Sequence, residues 1–480
     1  MQIIYITRYT IHILFLLLTG CLLGGCKKLI EVDLPIDKNT SETVFSNTST
    51  AVAAITGIYA GISAPEDVFT DAYGLSIRTA LRADELIPVN PSEYPDYINA
   101  ATGNNSAWSM WERTYRDHIY RVNSLLEGVG KSTTLPDDIK LILTGEAKFT
   151  RAWLYFYLVN LYGDVPLVLT TDFKVNSTIP RTDKQLVYEQ IVRDLKEAQE
   201  GLKSEFLDKD LTSSTLERIR PNKAAATALL ARVYLYLGKW QEAETEAGKV
   251  INDANFELLA DVNQVFLKNS KEAIWQLQPN PLNTDGANAP DGRSLINPYQ
   301  GNPLFYVSAS LLNAFEPNDI RRASWITQSP SGLTIPYKYK EGWAIMEQKE
   351  YTMVLRLAEQ YLIRAEARAR LNNLTGDNSA ASDLNDIRLR AGLPVTTADS
   401  QDALLVAIAK ERRIELFMEW GDRWLDLRRR GQLDAIMSVV AQQKGTAWAP
   451  YKALLPIPYD EFMFNPALRG HQNPGYLEQP

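Results

Sequence analysis

Apolar helix pairs recur along this chain, and they constrain its fold more than any other feature. In KAAATALLARVYLYLGKWQEAETEAGKVI, residues Ala226, Leu229, Leu230, Val233, Tyr234 and Leu237 fall at helical spacing and share one face. Gly238 follows where a left-handed residue closes a helix. A second helix then carries Trp240, Ala243, Ala247, Val250 and Ile251 on its apolar side. Small alanines let the two helices approach closely, so the stretch predicts a helix hairpin. GEAKFTRAWLYFYLVNLYGDVPLV repeats the first-helix pattern through Phe149, Ala152, Trp153, Phe156 and Tyr157. Leu154, Leu158 and Leu161 add apolar surface around that helix, so it should be buried on more than one side. Its partner is the periodic stretch 184–202. RLAEQYLIRAEARARL with SDLNDIRLRAGL makes a third pair, and DALLVAIAKERRIELFMEW with DRWLDLRRRG a fourth.

About four such hairpins, tetratricopeptide-like in pattern, make a mainly α scaffold over residues 146–255 and 355–435. Between 256 and 354 the rhythm disappears, and Pro, Gly and Asn crowd into LQPNPLNTDGANAPDGRSLINPYQGNP. A second irregular, aromatic-bearing stretch covers residues 65–110. Long loops within a compact domain are usually functional, so these two insertions are expected to carry the ligand surface.

Both cysteines, Cys21 and Cys26, stand near the N-terminus in LLTGCLLGGCKKLIEVDLP, and none follows. A secreted domain stapled by disulfides would keep pairs in its folded part. Arg8, the apolar run from Ile13 to Leu18 and the glycines after it read as a signal peptide over residues 1–25. Leu-Thr-Gly-Cys and Leu-Gly-Gly-Cys both resemble a bacterial lipobox. Cys26 is the expected acylated residue, because Lys27 and Lys28 end the apolar region there, whereas maturation at Cys21 would expose Leu22 and Leu23. Residues 26–480 are then one lipid-anchored domain.

Hydrophobic residues make up 45% of the chain, enough for a large core. A net charge of −8 argues against a nucleic-acid binder, which needs a basic surface. EGVGKST at 127–133 lacks the first glycine of a phosphate-binding loop, since Leu125 stands there, and it follows a helical pattern that Gly128 is expected to end. Histidine is too scarce for a zinc site or a hydrolytic triad, and only His118 and His471 lie in the mature chain. Glu411, Arg412, Arg413, Glu415, Glu419, Arg423 and Asp426 are where a glycosidase carboxylate pair would be sought. Arginines so close lower carboxylate pKa values, whereas a catalytic acid needs a raised one, so an ion-pair lattice is the expectation. Asp285, Asn288 and Asp291 could offer oxygens to calcium, but their spacing fails the EF-hand pattern and turns demand the same residues. The chain is read as a non-enzyme with neither metal nor cofactor.

The order of segments resembles the SusD/RagB family of outer-membrane nutrient-binding lipoproteins. The likeness runs through CKKLIEVDLP, FSNTSTAVAAITGIYAGI, RADELIPVN, WERTYRDHIYRVNSLLE and EAKFTRAWLYFYLVNLYGDVPLV. It continues through ALLARVYLYLGKWQEAETEAGKVI, VLRLAEQYLIRAEARARL, ERRIELFMEWGDRWLDLRRRG and LLPIPYDEFMFNPALRGHQNPGY. The resemblance implies a non-catalytic protein anchored outside the outer membrane. Its partner would be a TonB-dependent SusC-like transporter, to which it delivers glycans or, in some members, other nutrients such as peptides.

Aromatic rings in the loops carry the functional expectation, since a sugar ring stacks its C–H face on an indole or phenol. Trp108, Tyr299 and Trp343 rank first because polar residues or glycine flank them. Tyr73, Tyr94 and Tyr97 follow, then Phe305, Tyr306, Trp325, Tyr337 and Tyr339, with Asn104, Asn105, Asn297 and Gln300 as polar partners. Trp111 is excluded, because Trp111, Tyr115 and Ile119 form a helical stripe. A surface glycosidase using Glu411 or Glu415, and a repeat scaffold binding only a protein partner, are the alternatives.

Overall fold

The computed structural model describes residues 41–70, 73–104, 110–280, 287–296, 302–342 and 345–478. The expected lipobox with Cys26 lies outside them, as do Asn105, Trp108, Asp285, Asn297, Tyr299, Gln300 and Trp343. The chain divides into Met1–Val44 and Phe45–Pro480. Of the first unit, the short helix Ser41–Val44 is described.

Numbering only helices of eight residues or more, the order is α1 (Thr48–Ile62), α2 (Leu75–Arg82), α3 (Tyr120–Lys131), α4 (Asp137–Tyr162), α5 (Lys184–Gly201), α6 (Lys223–Tyr236) and α7 (Trp240–Ile251). After the loop-rich part come α8 (Leu357–Arg370), α9 (Ala380–Arg390), α10 (Gln401–Glu415), α11 (Asp422–Arg429) and α12 (Leu433–Gln443). No described helix is long and apolar enough to cross a membrane.

The first three pairs form as the periodicity predicts. α4 packs on α5, α6 on α7, and α8 on α9, while α7 also packs on α8 and α10 lies against α8. Ala358, Leu362, Ala365 and Ala369 of α8 meet Ala380, Leu384 and Ile387 of α9 and Leu404 and Ile408 of α10 in one cluster. α4 is apolar all round and is buried from Phe149 to Tyr162. Gly238 has φ +68°, and α6 ends before it as expected. In the fourth pair the segment after α10 turns through positive φ at Met418 and Trp420. α11 therefore packs on α2, and it is linked to α10 through Arg412, which bonds Asp422 at 2.7 Å and Asp426 at 3.1 Å.

Gly128 does not end its helix. α3 continues to Lys131, and a Cβ at Gly128 would lie 2.1 Å from the Phe45 ring, so the glycine is there for close packing. The preceding turns, Thr114–Ile119, are a π-helix.

Short two-stranded antiparallel ribbons replace the helices in the loop-rich part. β1 (Leu86–Pro88) must be numbered ahead of β2 (Ala273–Leu277), β3 (Phe305–Val307), β4 (Ile326–Gln328), β5 (Thr334–Pro336) and β6 (Thr352–Arg356). β1 pairs with β3, β2 with β6 and β4 with β5. β2 and β6 are buried throughout and pack on α6. The ribbon β1–β3 joins the two irregular stretches.

Candidate functional site

In β1–β3, Leu86 faces Val307, Ile87 faces Tyr306 and Pro88 faces Phe305. Side chains alternate across a strand, so Phe305 and Val307 turn inward while Tyr306 and Ile87 take the half-exposed side. Beneath the ribbon Tyr73 stacks on Tyr94 with centroids 4.9 Å apart and planes 17° from parallel. Both meet the Phe305 ring edge-on, at 5.6 and 5.1 Å. The Arg78 guanidinium lies 5.5 Å from the Tyr73 centroid, and Asp96 holds it at 3.1 Å. Tyr97 packs below the Lys444 ammonium, 4.7 Å away. That lysine donates to the carbonyls of Leu81 and Ala83 at the end of α2, and burial pushes its pKa down to about 7.

The aromatic residues expected in the loops thus divide by exposure. Tyr94 is 5% exposed, and Tyr97 and Phe305 are buried beside it. Trp325 is fully buried, its indole N–H donating to the Val262 carbonyl at 3.0 Å. Tyr339 is buried and accepts from the Met353 N–H at 2.9 Å. These rings build the walls, and Trp325 and Tyr339 are core residues, contrary to their reading as ligand contacts. Tyr73, Tyr306 and Tyr337 keep part of their surface in solvent, and Asn104 is exposed. Trp111 is buried against Tyr162 at 5.1 Å, as its helical stripe predicts.

Periodicity missed the residues that hold the turn leading to β6. Asn288 Oδ1 accepts from the backbone of Lys349 and Glu350 at 2.7 and 2.9 Å, and its amide donates to the carbonyls of Ile345 and Glu347. Its oxygen is therefore committed to the turn and not to calcium. Glu350 closes the other side by accepting from the N–H groups of Lys340 and Glu341. Burial pushes its carboxyl up to about 7. The run DGANAPDG signalled a turn, but nothing in it signalled a partner some sixty residues away.

The charged cluster of the fourth hairpin is an ion-pair lattice. Glu415 accepts from Arg356 at 2.6 Å, from Arg321 at 2.8 Å, and from Arg390. Arg321 also binds Asp319 and Glu411, and Arg356 binds Glu419. Burial would raise the Glu415 carboxyl, but the charges of Arg390, Arg356 and Arg321 outweigh it and hold it well below the carboxylate range. A general acid needs the opposite shift. Arg413 and Arg423 reach out of this lattice to Asp84 at 2.7 and 2.8 Å. Asp84 also takes the Ser310 hydroxyl, while its carbonyl accepts from Ser308 Oγ across 224 residues. The helical scaffold thereby grips the β1–β3 junction directly.

A family described as the SusD family matches residues 324–476, and one described as "Starch-binding associating with outer membrane" matches residues 40–235. The SusD-like protein P2 of Formosa agariphila is 28% identical over an alignment covering 98% of this chain and all of that protein. Among solved structures, a "Laminarin binding SusD-like protein" aligns with TM-score 0.73 and 24% identity over 90% of this chain and all of that one. The surface glycan-binding protein A of Bacteroides thetaiotaomicron, in complex with laminarihexaose, aligns with TM-score 0.72 and 18% identity over 88% and 98%. These structural likenesses establish the helical fold.

Proposed function

Because this chain belongs to the SusD/RagB family, we propose that it is a non-catalytic cell-surface lipoprotein that binds glycans and delivers them to a TonB-dependent SusC-like transporter. The observation that carries the reading is the pairing of β1 with β3, which makes one face of two aromatic-bearing stretches far apart in sequence. Tyr73 and Tyr306 offer partly exposed rings there, and the buried Tyr94 and Phe305 support them. Trp108, Tyr299 and Trp343, with Asn105 and Asn297, belong to the same stretches and are the proposed contacts to sugar. Laminarin and laminarihexaose, the ligands named for two structural neighbours, set the first class of probe. The carboxylates that a glycosidase reading would use, Glu411 and Glu415, are buried and held by arginines. Acylated Cys26 would keep the domain at the membrane.

Calorimetric titration of the chain from Lys27 onward against laminari-, malto-, cello-, xylo- and manno-oligosaccharides tests the glycan part, with Trp108→Ala alongside. Weaker binding by the variant supports it. Binding of none of them, or binding indifferent to Trp108, overturns the loop site. Affinity purification of the native lipoprotein from solubilised membranes should recover a large outer-membrane barrel, and its absence removes the transporter.

A further inference from the structure

A cleft of about 730 Å³ opens on the scaffold and shares no lining residue with β1–β3. Its walls are the helix turns from Trp111 to Tyr120, the segment 166–177 and the single-turn helix Glu461–Phe464. A volume of this size falls in the range of small-ligand sites. Three rings stand along it in solvent: Phe173 is 73% exposed, Phe464 69% and Tyr120 51%. Phe173 and Phe464 each sit on a four-residue helix, and neither is needed for packing. Exposed apolar groups collected in one concave place mark a binding surface.

The polar lining says what kind. Glu112, Asp460 and Glu461 bring three carboxylates against Arg116 as the cation; Glu461 already accepts from the Trp111 side chain, and Arg116 is engaged by Glu112 and Asp117. The Asp460 side chain meets no polar partner among the described residues, and the buried Asn176 Oδ1 is an acceptor without a donor. Tyr115 spends its hydroxyl on the Pro166 carbonyl at 2.6 Å. The surplus is therefore of acceptors with net negative charge, beside flat apolar rings. An anionic ligand is repelled. The core of a protein interface is depleted of charge, and docking a protein here would strip water from Asp460 without pairing it. A neutral pyranose chain meets both demands, with C–H faces for the rings and hydroxyl donors for Asp460 and Glu112.

We propose that this cleft is a second carbohydrate site, which takes a short stretch of a neutral glycan through Phe173, Phe464 and Tyr120. It rests on the reading of the chain as a glycan binder and adds to it a second point of contact. A polysaccharide held at both the loop face and the scaffold gains by effective concentration, so long chains bind more tightly than their hexasaccharides.

Saturation-transfer NMR with laminari-, malto-, cello-, xylo- and mannohexaose separates the two sites. The proteins are wild type, Trp108→Ala, Phe173→Ala/Phe464→Ala, and the triple variant. Both phenylalanines are exposed, so their removal leaves the fold intact, which circular dichroism checks. The expected result is saturation of at least one hexaose that persists in Trp108→Ala and disappears in the triple variant. Measured against Trp108→Ala, the triple variant should lose at least about tenfold in affinity for that hexaose, the scale of lost aromatic contacts, which takes the signal below detection. Signal abolished by Trp108→Ala alone leaves the loop site standing and overturns the cleft, and signal in no hexaose overturns both. Unchanged saccharide binding in the double variant, with reduced recovery of an outer-membrane barrel, would make the cleft a protein interface and also overturn the proposal.

Discussion

Asp84 and Glu85 are neighbours in sequence with opposite fates. Burial works to raise both carboxyls, but Asp84 has Arg423 and Arg413 against it and is held at about 2. Glu85 points the other way, meets the charge of Asp84 as well as burial, and is pushed up to about 7. One of its oxygens accepts from the Met418 N–H at 3.3 Å and the other has no partner. A carboxyl raised on folding binds its proton more tightly in the native state, so the stability it contributes is complete below the unfolded value near 4.5 and is lost as pH rises through about 7. Glu85→Gln keeps an acceptor for Met418 and removes the titration. The variant should be more stable than wild type above pH 7, by up to about 3 kcal/mol, and the gap should close toward pH 5. Urea unfolding at pH 5 and 8.5 measures it. RADELIPVN gives no hint that Asp84 and Glu85 differ, because the difference comes from guanidinium groups 329 and 339 residues away. The lattice itself was legible in ERRIELFMEWGDRWLDL, where acids and arginines alternate too closely to act as free catalysts.

At the scale of elements, the helix pairs were legible because their apolar faces have a helical period and alanine seams. Gly238 fell in the left-handed position that a helix end requires. Gly128 was misread as such an end, since a glycine in a helix interior has the same letter whether it stops the chain or admits a neighbour. Gly128 and Gly130 lie in the same helix and separate those meanings. A methyl group at Gly130 meets nothing within 4 Å, and one at Gly128 would enter the Phe45 ring. Gly130→Ala should therefore stabilise the protein by up to about 1 kcal/mol, the gain in helix propensity. Gly128→Ala should lose about 1–3 kcal/mol, because overpacking exceeds that gain. Thermal unfolding of the two variants checks both signs. The ribbons were not legible in the sequence. Three-residue strands such as LIP and FYV carry too little alternation to be recognised, and their register is set by partners far along the chain.

For the molecule as a whole, the lipobox predicts where the protein resides. Cys26→Ser should abolish incorporation of labelled palmitate and move the protein from the membrane to the soluble fraction, while Cys21→Ser should leave it on the membrane. Fractionation of cells carrying each variant checks this, and membrane retention of Cys26→Ser would move the anchor to Cys21. The loops could be told from the scaffold in sequence, but not which rings face solvent, because Tyr337 and Tyr339 alternate with the same lysines, yet one is half-exposed and the other buried. Burial at Trp325 depends on Val262 and Phe417, which no local pattern brings together. The grip of Arg413 and Arg423 on Asp84 also ties the two ends of the sequence to one place. β1 lies near the start of the described chain, and the guanidinium groups that hold the Asp84 beside it come from α10 and α11 near its end. A chain broken off before Arg413 can stack its first hairpins, yet it leaves the β1–β3 junction without its two guanidinium clamps, so a truncation at the C-terminal end is expected to loosen a ribbon far upstream of the break.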